Sequence, residues 1–382
     1  MPKTLVIDDD PITEPLFRRH LQRLGPTVEA DFSFATSDKM ALDLINEAND
    51  FEIVLITVDS ENISGMNLFH QIKDQSFKVP RVALTNNYEL DHIRKAMNDG
   101  AADFLAKPFS FEDMVATIEK VYEQVERRRK AWSENAELSA IRREISVAAD
   151  IQQRILPKIF PTHGRMDIHA VMTPAKDMGG DFYDVFTLKD GRICFVIADV
   201  AGKSVPAAFY MAVARTLFRA SATSAETPSN CLLHVNQQLC QLEIPGMFVS
   251  AFYGIADPET GKVTFSNAGH PHPCLIDQQM GTITPVEGGG GTVLGVIDTL
   301  EYENDSLVLE PGQSLYMCTD GVTEAFDANH KEFGERRLWE CLSNNSSRSA
   351  VEIAEAVSQA VWDFSEGATV HDDITSLIIK RS

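Results

Sequence analysis

Five short segments in the second half of the chain combine acidic or amide side chains with glycines in a way that could support chemistry. They are residues 179–184 (GGDFYD), 199–203 (DVAGK), 267–270 (NAGH), 319–324 (TDGVTE) and 371–375 (HDDIT). One aspartate at the end of a strand is usually a turn residue or a helix cap. Five such segments in one part of the chain are harder to explain as turns alone, and they are candidates for a shared site.

Converging carboxylates need a compensating positive charge. Two carboxylates about 4 Å apart repel each other by roughly 4 kcal/mol at an effective dielectric constant near 20. A fold therefore keeps such a cluster when cations neutralise it. Oxygen ligands without His or Cys favour Mg²⁺ or Mn²⁺ over zinc. Two such ions can hold a phosphoryl group and supply a metal-bound hydroxide. The residue types thus predict a divalent-metal centre.

Short strands and longer helices position these segments. The pattern predicts strands at residues 193–198, 249–255, 262–267, 314–318 and 375–379, with helices near 205–221, 228–242 and 348–365. Asp199 and Asp320 are each expected where a buried strand opens into a loop. Mixed strands with grouped helices predict two sheets with helices outside them.

The first 122 residues have a different pattern. Short apolar runs at 5–7, 32–34, 53–56, 82–84 and 104–106 alternate with helical segments. Continuous apolar strands that alternate with helices predict a doubly wound α/β domain, in which both faces of a five-stranded parallel sheet are covered. Ligands of such a domain gather at the carboxyl ends of the strands.

A helical segment joins the two patterns. Residues 110–156 contain no glycine or proline, and apolar residues recur every three or four positions, from Met114, Ile118 and Val121 onward. The phase slips between Trp132 and Leu138. This spacing predicts either a coiled-coil seam that makes a homodimer or a linker helix packed on its own domains.

Composition excludes several classes of protein. The formal net charge is −22, and the only basic run is residues 127–130, so a nucleic-acid partner is not expected. No apolar stretch is long enough to span a membrane, and the N-terminus does not have the pattern of a signal peptide. Six scattered cysteines without a C-x-x-C pair fit a reducing compartment. We expect a cytoplasmic protein.

The order of the five segments resembles the bacterial PPM (type 2C-like) serine/threonine protein phosphatases, in particular the stage II sporulation E and stress-sigma-factor regulator group. The resemblance covers residues 148–382. It implies an α/β/β/α sandwich, two Mn²⁺ or Mg²⁺ ions, and hydrolysis of phosphoserine or phosphothreonine on a protein partner. That partner would be an anti-sigma-factor antagonist in a partner-switching circuit.

The resemblance also implies a role for each matching residue. Asp199 would bridge both metals, and the Val200 carbonyl would bind one of them. Asp320 and Asp372 would bind the other metal, and Asp181 would bind directly or through water. Asp199 and Asp320 are the predicted catalytic residues.

Three further residues have supporting roles in this interpretation. Asp373 is expected to be a structural partner rather than a ligand, and Asp184 is expected to fix its loop. His270 has two possible roles. It could protonate the leaving alkoxide, because histidine titrates near neutral pH, or it could order the turn at residues 267–270.

Residues 1–122 resemble a response-regulator receiver domain. The resemblance assigns its pocket to Asp8, Asp9, Thr57, Asp59, Thr85 and Lys107. Asp8 and Asp9 match the family's pair of acidic residues that bind a metal. Thr85 matches the residue with the switch hydroxyl, and Lys107 matches the lysine that contacts an acyl phosphate. The predicted domains are therefore a receiver (1–122), a helical linker (123–157) and a PPM-type phosphatase (158–382).

The receiver departs from its family at the phosphoacceptor. Thr57 stands where aspartate is expected, and Asp59 follows two residues later. Threonine cannot form an acyl phosphate, so three interpretations stay open: a constitutive docking module, a domain frozen in one state, or phosphorylation displaced to Asp59. A degenerate receiver also raises an alternative for the whole chain, a catalytically silent regulatory protein that only binds its partners.

Overall fold

The computed structural model describes residues 1–24, 31–48, 50–75, 79–161, 165–203, 205–366, 368 and 371–382. Two compact units divide the chain, Met1–Ser139 and Ala140–Ser382. The predicted domain limits at residues 122 and 157 stay predictions. Within the described ranges, no helix is long and apolar enough to cross a membrane.

The first unit is a parallel sheet with helices on both faces. Its elements are β1 (Thr4–Ile7), α1 (Thr13–Leu24), β2 (Phe32–Ala35), α2 (Asp38–Ala48), β3 (Ile53–Thr57), α3 (Gly65–Gln75), β4 (Arg81–Thr85), α4 (Leu90–Asn98), β5 (Asp103–Ala106) and the first part of α5 (Phe111–Ile155). The strand order β2-β1-β3-β4-β5, with every pair parallel, confirms the predicted doubly wound fold. Alternate residues of each strand, such as Leu5 and Val6, belong to separate buried clusters on the two faces.

The helix α5 uses its apolar residues in two ways. Met114, Ile118 and Val121 are fully buried in the core of the first unit. The predicted coiled-coil seam is therefore wrong for these positions, because they stabilise the chain's own domain. Further along the helix, Trp132 is 79% exposed and Leu138 is 54% exposed. The apolar residues keep their spacing there, but within the described part of the chain these two side chains stay largely exposed.

The second unit contains two antiparallel five-stranded sheets. Its strands are β6 (Met166–Thr173), β7 (Phe182–Thr187), β8 (Ile193–Val200), β9 (Val249–Ala256), β10 (Lys262–Ala268), β11 (Cys274–Asp277), β12 (Thr282–Pro285), β13 (Asp305–Val308), β14 (Gln313–Cys318) and β15 (Ile374–Arg381). Its helices are α6 (Val205–Ala222), α7 (Pro228–Cys240), α8 (Asp320–Thr323), α9 (Gly334–Asn345) and α10 (Ala350–Phe364). The strand orders are β13-β10-β9-β8-β7 and β12-β11-β14-β15-β6.

The cores of the second unit lie between its layers. One buried cluster joins residues of both sheets, such as Ile197 of β8 and Leu377 of β15, and it extends to α6 and α7. A second cluster packs α9 and α10 on the sheet β12-β11-β14-β15-β6. It includes Ile353 of α10 and Ile378 of β15. This arrangement is the expected α/β/β/α sandwich. The five predicted strands and three predicted helices are present, whereas β6, β7, β11–β13, α8 and α9 were not predicted.

Candidate metal centre

The predicted metal ligands meet at one edge of the two sheets. Asp199 is the penultimate residue of β8, and Asp320 begins α8 directly after β14. Asp372 precedes β15, the neighbour of β14, and Asp181 precedes β7, the neighbour of β8. Asp199 thus lies one residue inside the end of β8 rather than after the strand, and Asp181 precedes its strand.

Electrostatic interactions show that these carboxylates lie close together. Burial raises the pKa of Asp199 to about 6, and repulsion by Asp320 adds to this rise. Burial also raises the pKa of Asp181, again with repulsion by Asp199. The pKa of Asp320 rises because of burial and then because of Asp372. Each buried acid thus resists ionisation because too little positive charge faces it.

The donor set fits a hard divalent cation, although the side chains do not yet enclose one. Carboxylate oxygens without His or Cys are the ligands that Mg²⁺ and Mn²⁺ prefer. In the described part of the chain, however, no three acidic, His or Cys side chains form a ready-made cage. Lys203 explains part of this difference, because its Nζ lies 2.7 Å from an oxygen of Asp372 and 2.8 Å from the His371 carbonyl.

Glycines let the backbone come close at this edge. A Cβ on Gly180 would lie 2.7 Å from the Val200 carbonyl oxygen, the predicted backbone ligand. A Cβ on Gly321 would collide with the Asp373 carbonyl. Any other residue at these positions would push apart the two segments that it joins.

Asp373 organises the loop before β7. Its carboxylate accepts hydrogen bonds from the backbone N–H groups of Ala175 (2.8 Å), Gly180 (2.7 Å) and Asp181 (3.3 Å). A Cβ on Gly179 would overlap this carboxylate. These contacts match the structural role that the sequence predicts for Asp373.

Two residues of the site were not predicted. The buried Thr319 hydroxyl donates to Asp181 Oδ2 at 2.7 Å, which fixes that carboxylate. Gln152, near the end of α5, donates from Nε2 to the Gly179 carbonyl (2.6 Å) and accepts from the Gly179 N–H (3.2 Å). One buried amide thus holds the backbone two residues before Asp181. Thr319 belongs to the segment 319–324, but the roles of both residues depend on contacts between distant segments, which the sequence does not show.

Asp184 holds a helix rather than a loop, which corrects the expectation for this residue. It lies within β7, is fully buried, and pairs with two arginines of α6. Arg215 Nη2 lies 3.0 Å from Asp184 Oδ2, and Arg219 donates through Nε (2.5 Å) and Nη2 (2.7 Å). A buried carboxylate that is paired in this way connects α6 to its sheet and is costly to break.

The imidazole of His270 is kept neutral. Burial lowers the pKa of His270 to about 3, and its Nδ1 lies 3.0 Å from the Ser250 hydroxyl. The turn itself is closed by Asn267, whose Oδ1 accepts from the His270 N–H (2.8 Å) and whose Nδ2 donates to the His270 carbonyl (3.0 Å). Of the two possible roles, this geometry favours ordering of the turn over proton donation.

Several side chains of the receiver pocket in the first unit contact one another, although Asp59 Oδ1 is buried without a hydrogen-bond partner among the described residues. Lys107 Nζ lies 2.7 Å from both oxygens of Asp8 and 3.3 Å from the Thr57 hydroxyl. The Lys107-Pro108 bond is cis. Asp9 accepts from Ser60 (2.6 Å) and Asn62 (2.9 Å).

Asp59 lies against the end of β4. One of its carboxylate oxygens, Oδ2, accepts from the Thr85 hydroxyl (3.0 Å) and from the backbone N–H groups of Asn86 (2.6 Å) and Asn87 (3.0 Å). Thr57 is instead fully buried at the end of β3. The acidic side chain nearest the switch hydroxyl is thus Asp59.

The sandwich and its acidic edge define a PPM-type serine/threonine protein phosphatase that carries a receiver domain. The chain belongs to the family described as Stage II sporulation protein E (SpoIIE), which matches residues 189–382. The response regulator receiver domain family matches residues 4–119.

Known proteins with similar sequences support this assignment. The chain is 31% identical over 268 residues to Protein IcfG of Synechocystis sp., covering 63% of this chain and 42% of IcfG. It is 29% identical over 275 residues to the phosphoserine phosphatase RsbU of Bacillus subtilis, covering 71% of this chain and 81% of RsbU.

Solved structures share the fold of the second unit. The SiaA-PP2C domain of Pseudomonas aeruginosa superimposes with a TM-score of 0.57 at 24% identity, over 64% of this chain and 98% of that domain. The RsbU and RsbW domains of Rv1364c from Mycobacterium tuberculosis give a TM-score of 0.52 at 25% identity, over 59% of this chain and 63% of that one.

The raised pKa of Asp199 predicts how stability depends on pH when metal is removed with a chelator. The folded protein holds a proton on Asp199 that the unfolded chain releases above its usual pKa of 3.8. Stability therefore falls as pH rises from about 4 to about 6, and this contribution is constant above that window. Urea unfolding of wild type and Asp199→Asn across this range measures the effect. As pH rises from about 4 to about 6, the free energy of unfolding of the wild type should fall relative to that of Asp199→Asn. A difference that does not change with pH would contradict the raised pKa of Asp199.

Proposed function

We propose that this chain hydrolyses phosphoserine or phosphothreonine on a protein partner, using two Mn²⁺ or Mg²⁺ ions held by Asp181, Asp199, Val200, Asp320 and Asp372. The observation that carries the proposal is the group of mutually repelling carboxylates at one edge of the sandwich, of which Asp181 is buried and Asp199 and Asp320 are half-buried. A pair of divalent ions would neutralise this repulsion. When bound, such ions polarise a water molecule and neutralise the phosphoryl group.

The side chains of the site divide this work. Asp199 and Asp320 face each other and would share the charge of the ions. Asp372 would exchange its ion pair with Lys203 for a cation, and the released ammonium could then face the phosphate. The contacts from Thr319 and Asp373 keep Asp181 in place. His270 has a pKa near 3, so it is not an imidazolium at neutral pH and is poorly suited to protonate the leaving alkoxide.

The substrate that we propose is a phosphorylated anti-sigma-factor antagonist in a partner-switching circuit, in the cytoplasm. Similarity to RsbU, which is described as a phosphoserine phosphatase, supports a phosphoserine substrate. The Rv1364c chain, which carries RsbU and RsbW domains together, supports a signalling context for this fold.

Substitution of one proposed metal ligand tests whether the chain is an enzyme or a catalytically silent binding protein. Asp199→Asn should lower manganese-dependent phosphate release from a generic phosphoester by about 100-fold or more, because it removes the charge that both ions would share. Colorimetric phosphate assays with Mn²⁺, Mg²⁺ and chelator measure this. Asp298→Asn, an exposed change of the same kind in the same unit, should leave the rate unchanged. Wild type without activity in either metal would instead support the silent binding protein.

We propose that the receiver is held in one state by Asp59 and is not phosphorylated at position 57. The Asp59 carboxylate fills the place between the Thr85 hydroxyl and the amides of residues 86 and 87, where an anion would be bound. Three donors to one carboxylate oxygen form a charge-assisted arrangement that is stronger than neutral hydrogen bonds. Lys107 is meanwhile paired with Asp8. The same site therefore has little capacity left for an incoming phosphoryl group.

This receiver proposal predicts no stable label when the full chain is incubated with radioactive acetyl phosphate and Mg²⁺. Asp59→Asn should speed hydrogen–deuterium exchange of the peptide that contains residues 85–88, because its amides lose a charged acceptor. Asp43→Asn, at an exposed position of α2, serves as the matched control. A label that appears in wild type and disappears in Asp59→Asn would show instead that Asp59 is the phosphoacceptor.

We also propose that two copies of the chain associate through the exposed part of α5. Trp132, Leu138 and Ile141 are 79%, 54% and 46% exposed on this helix. Spacings of three and four residues place Leu138, Ile141 and the half-buried Ile145 along one stripe, which is the pattern of a helix–helix seam. Burial of this stripe against a second copy would remove apolar surface from water.

Light scattering tests the dimer. The full chain should have twice the 42.3 kDa mass of one copy. The double variant Leu138→Glu and Ile141→Glu should scatter as a monomer, because it places charges in the seam. Met280→Glu, at a 74% exposed apolar position of the second unit, should stay dimeric. A monomeric wild type would remove the basis of the proposal.

A further inference from the structure

An open groove lies on the outer face of the second unit, beside α10. It encloses about 730 Å³. Its walls include Val171 and Thr173 of β6, Glu355 and Trp362 of α10, and Arg348 before that helix. We call this the α10 groove. The residues that line the outer part of the α10 groove have no role in the acidic edge. This part of the groove is therefore a surface without an assigned function.

The α10 groove leads to the proposed catalytic edge. A smaller cavity of about 30 Å³ next to it is lined by Gly321 and Asp372, two residues of the acidic edge. Trp362 and Ile374 line both cavities. A chain segment lying in the groove would therefore place its end beside Asp372, where the phosphoresidue has to arrive.

Trp362 is the apolar feature of this groove. Its side chain is 64% exposed, although it lies in a concave surface next to the half-buried Ile374. Tryptophan is enriched among the residues that carry most of the binding energy in protein interfaces. An exposed tryptophan in a concave wall is thus well placed to cover an apolar side chain of a partner.

The charge of the groove indicates the chemistry of the occupant. Glu352 and Glu355 line the outer cavity, and Glu324 and Asp372 line the inner one, whereas Arg348 is the one guanidinium among the described lining residues. A carboxylate-rich wall favours lysine or arginine in the bound segment. It also disfavours an acidic segment beyond the phosphate itself.

We propose that the α10 groove binds the part of the phosphoprotein substrate that flanks its phosphorylated residue. The segment lies extended in the groove, with an apolar side chain against Trp362 and a basic side chain opposite Glu355. This inference rests on the proposed phosphatase function and adds the basis of its substrate recognition. A small phosphoester, which reaches only the metal edge, does not use the groove.

Two substitutions test the groove in the full chain. With a phosphorylated antagonist protein as substrate, Trp362→Ala should raise KM by about 10- to 30-fold, the loss expected for an aromatic anchor. The kcat for this protein and the rate on p-nitrophenyl phosphate should be unchanged. Glu355→Lys should also raise KM for the protein alone. Val351→Ala, at a 39% exposed position of α10 outside the groove, is the matched control.

Several outcomes would overturn the groove proposal. Unchanged KM in both Trp362→Ala and Glu355→Lys would show that the substrate binds elsewhere. Equal loss of activity on the protein and on p-nitrophenyl phosphate would show a structural effect on the site. A change from dimer to monomer in Trp362→Ala, seen by light scattering, would assign the groove to a second copy. Wild type that hydrolyses neither substrate would overturn the phosphatase function as well, which separates the two failures.

Discussion

Repulsion among buried carboxylates is the constraint on which the second unit depends. Asp181, Asp199 and Asp320 each ionise less readily than a free aspartate, because burial and a neighbouring acid both oppose their charge. A fold cannot gain stability from such a group by itself. The surrounding contacts from Thr319 and from Gln152 to Gly179 restrain the backbone and side chains against that repulsion. These contacts fix parts of the acidic edge within the fold, and a bound cation would offset the remaining repulsion.

The sequence was informative where local pattern decides structure. Continuous apolar strands that alternate with helices were enough to predict the receiver fold. Apolar runs before Asp199 and Asp320 were enough to place these two residues at or just after the ends of β8 and β14. Contacts between distant segments have no local pattern. Asp184 could not be matched with Arg219, because the pair joins a strand to a helix 35 residues away. The amide of Gln152 likewise gives no signal until the fold brings it to Gly179.

Apolar periodicity also leaves a partner undefined. Along α5 the same spacing places Met114 in the core of the first unit and leaves Trp132 79% exposed. A stripe of apolar residues shows which face of a helix avoids water, but it does not show what covers that face. For the first three turns of α5, the core of the first unit covers the apolar face of the helix. Further along, Trp132, Leu138 and Ile141 are exposed, and a second copy is the cover that we propose for them.

The two acidic pockets of this chain handle charge in opposite ways. In the receiver, one oxygen of Asp59 accepts three hydrogen bonds and Lys107 pairs with Asp8, so these two acids have partners within the pocket. At the phosphatase edge, Lys203 pairs with Asp372, whereas Asp181, Asp199 and Asp320 have raised pKa values. A compensated pocket has little affinity left for an added ion or phosphoryl group, whereas an uncompensated one attracts cations strongly. This difference in how the acids are paired fits the two proposals, a receiver that takes no phosphoryl group and an acidic edge that binds cations.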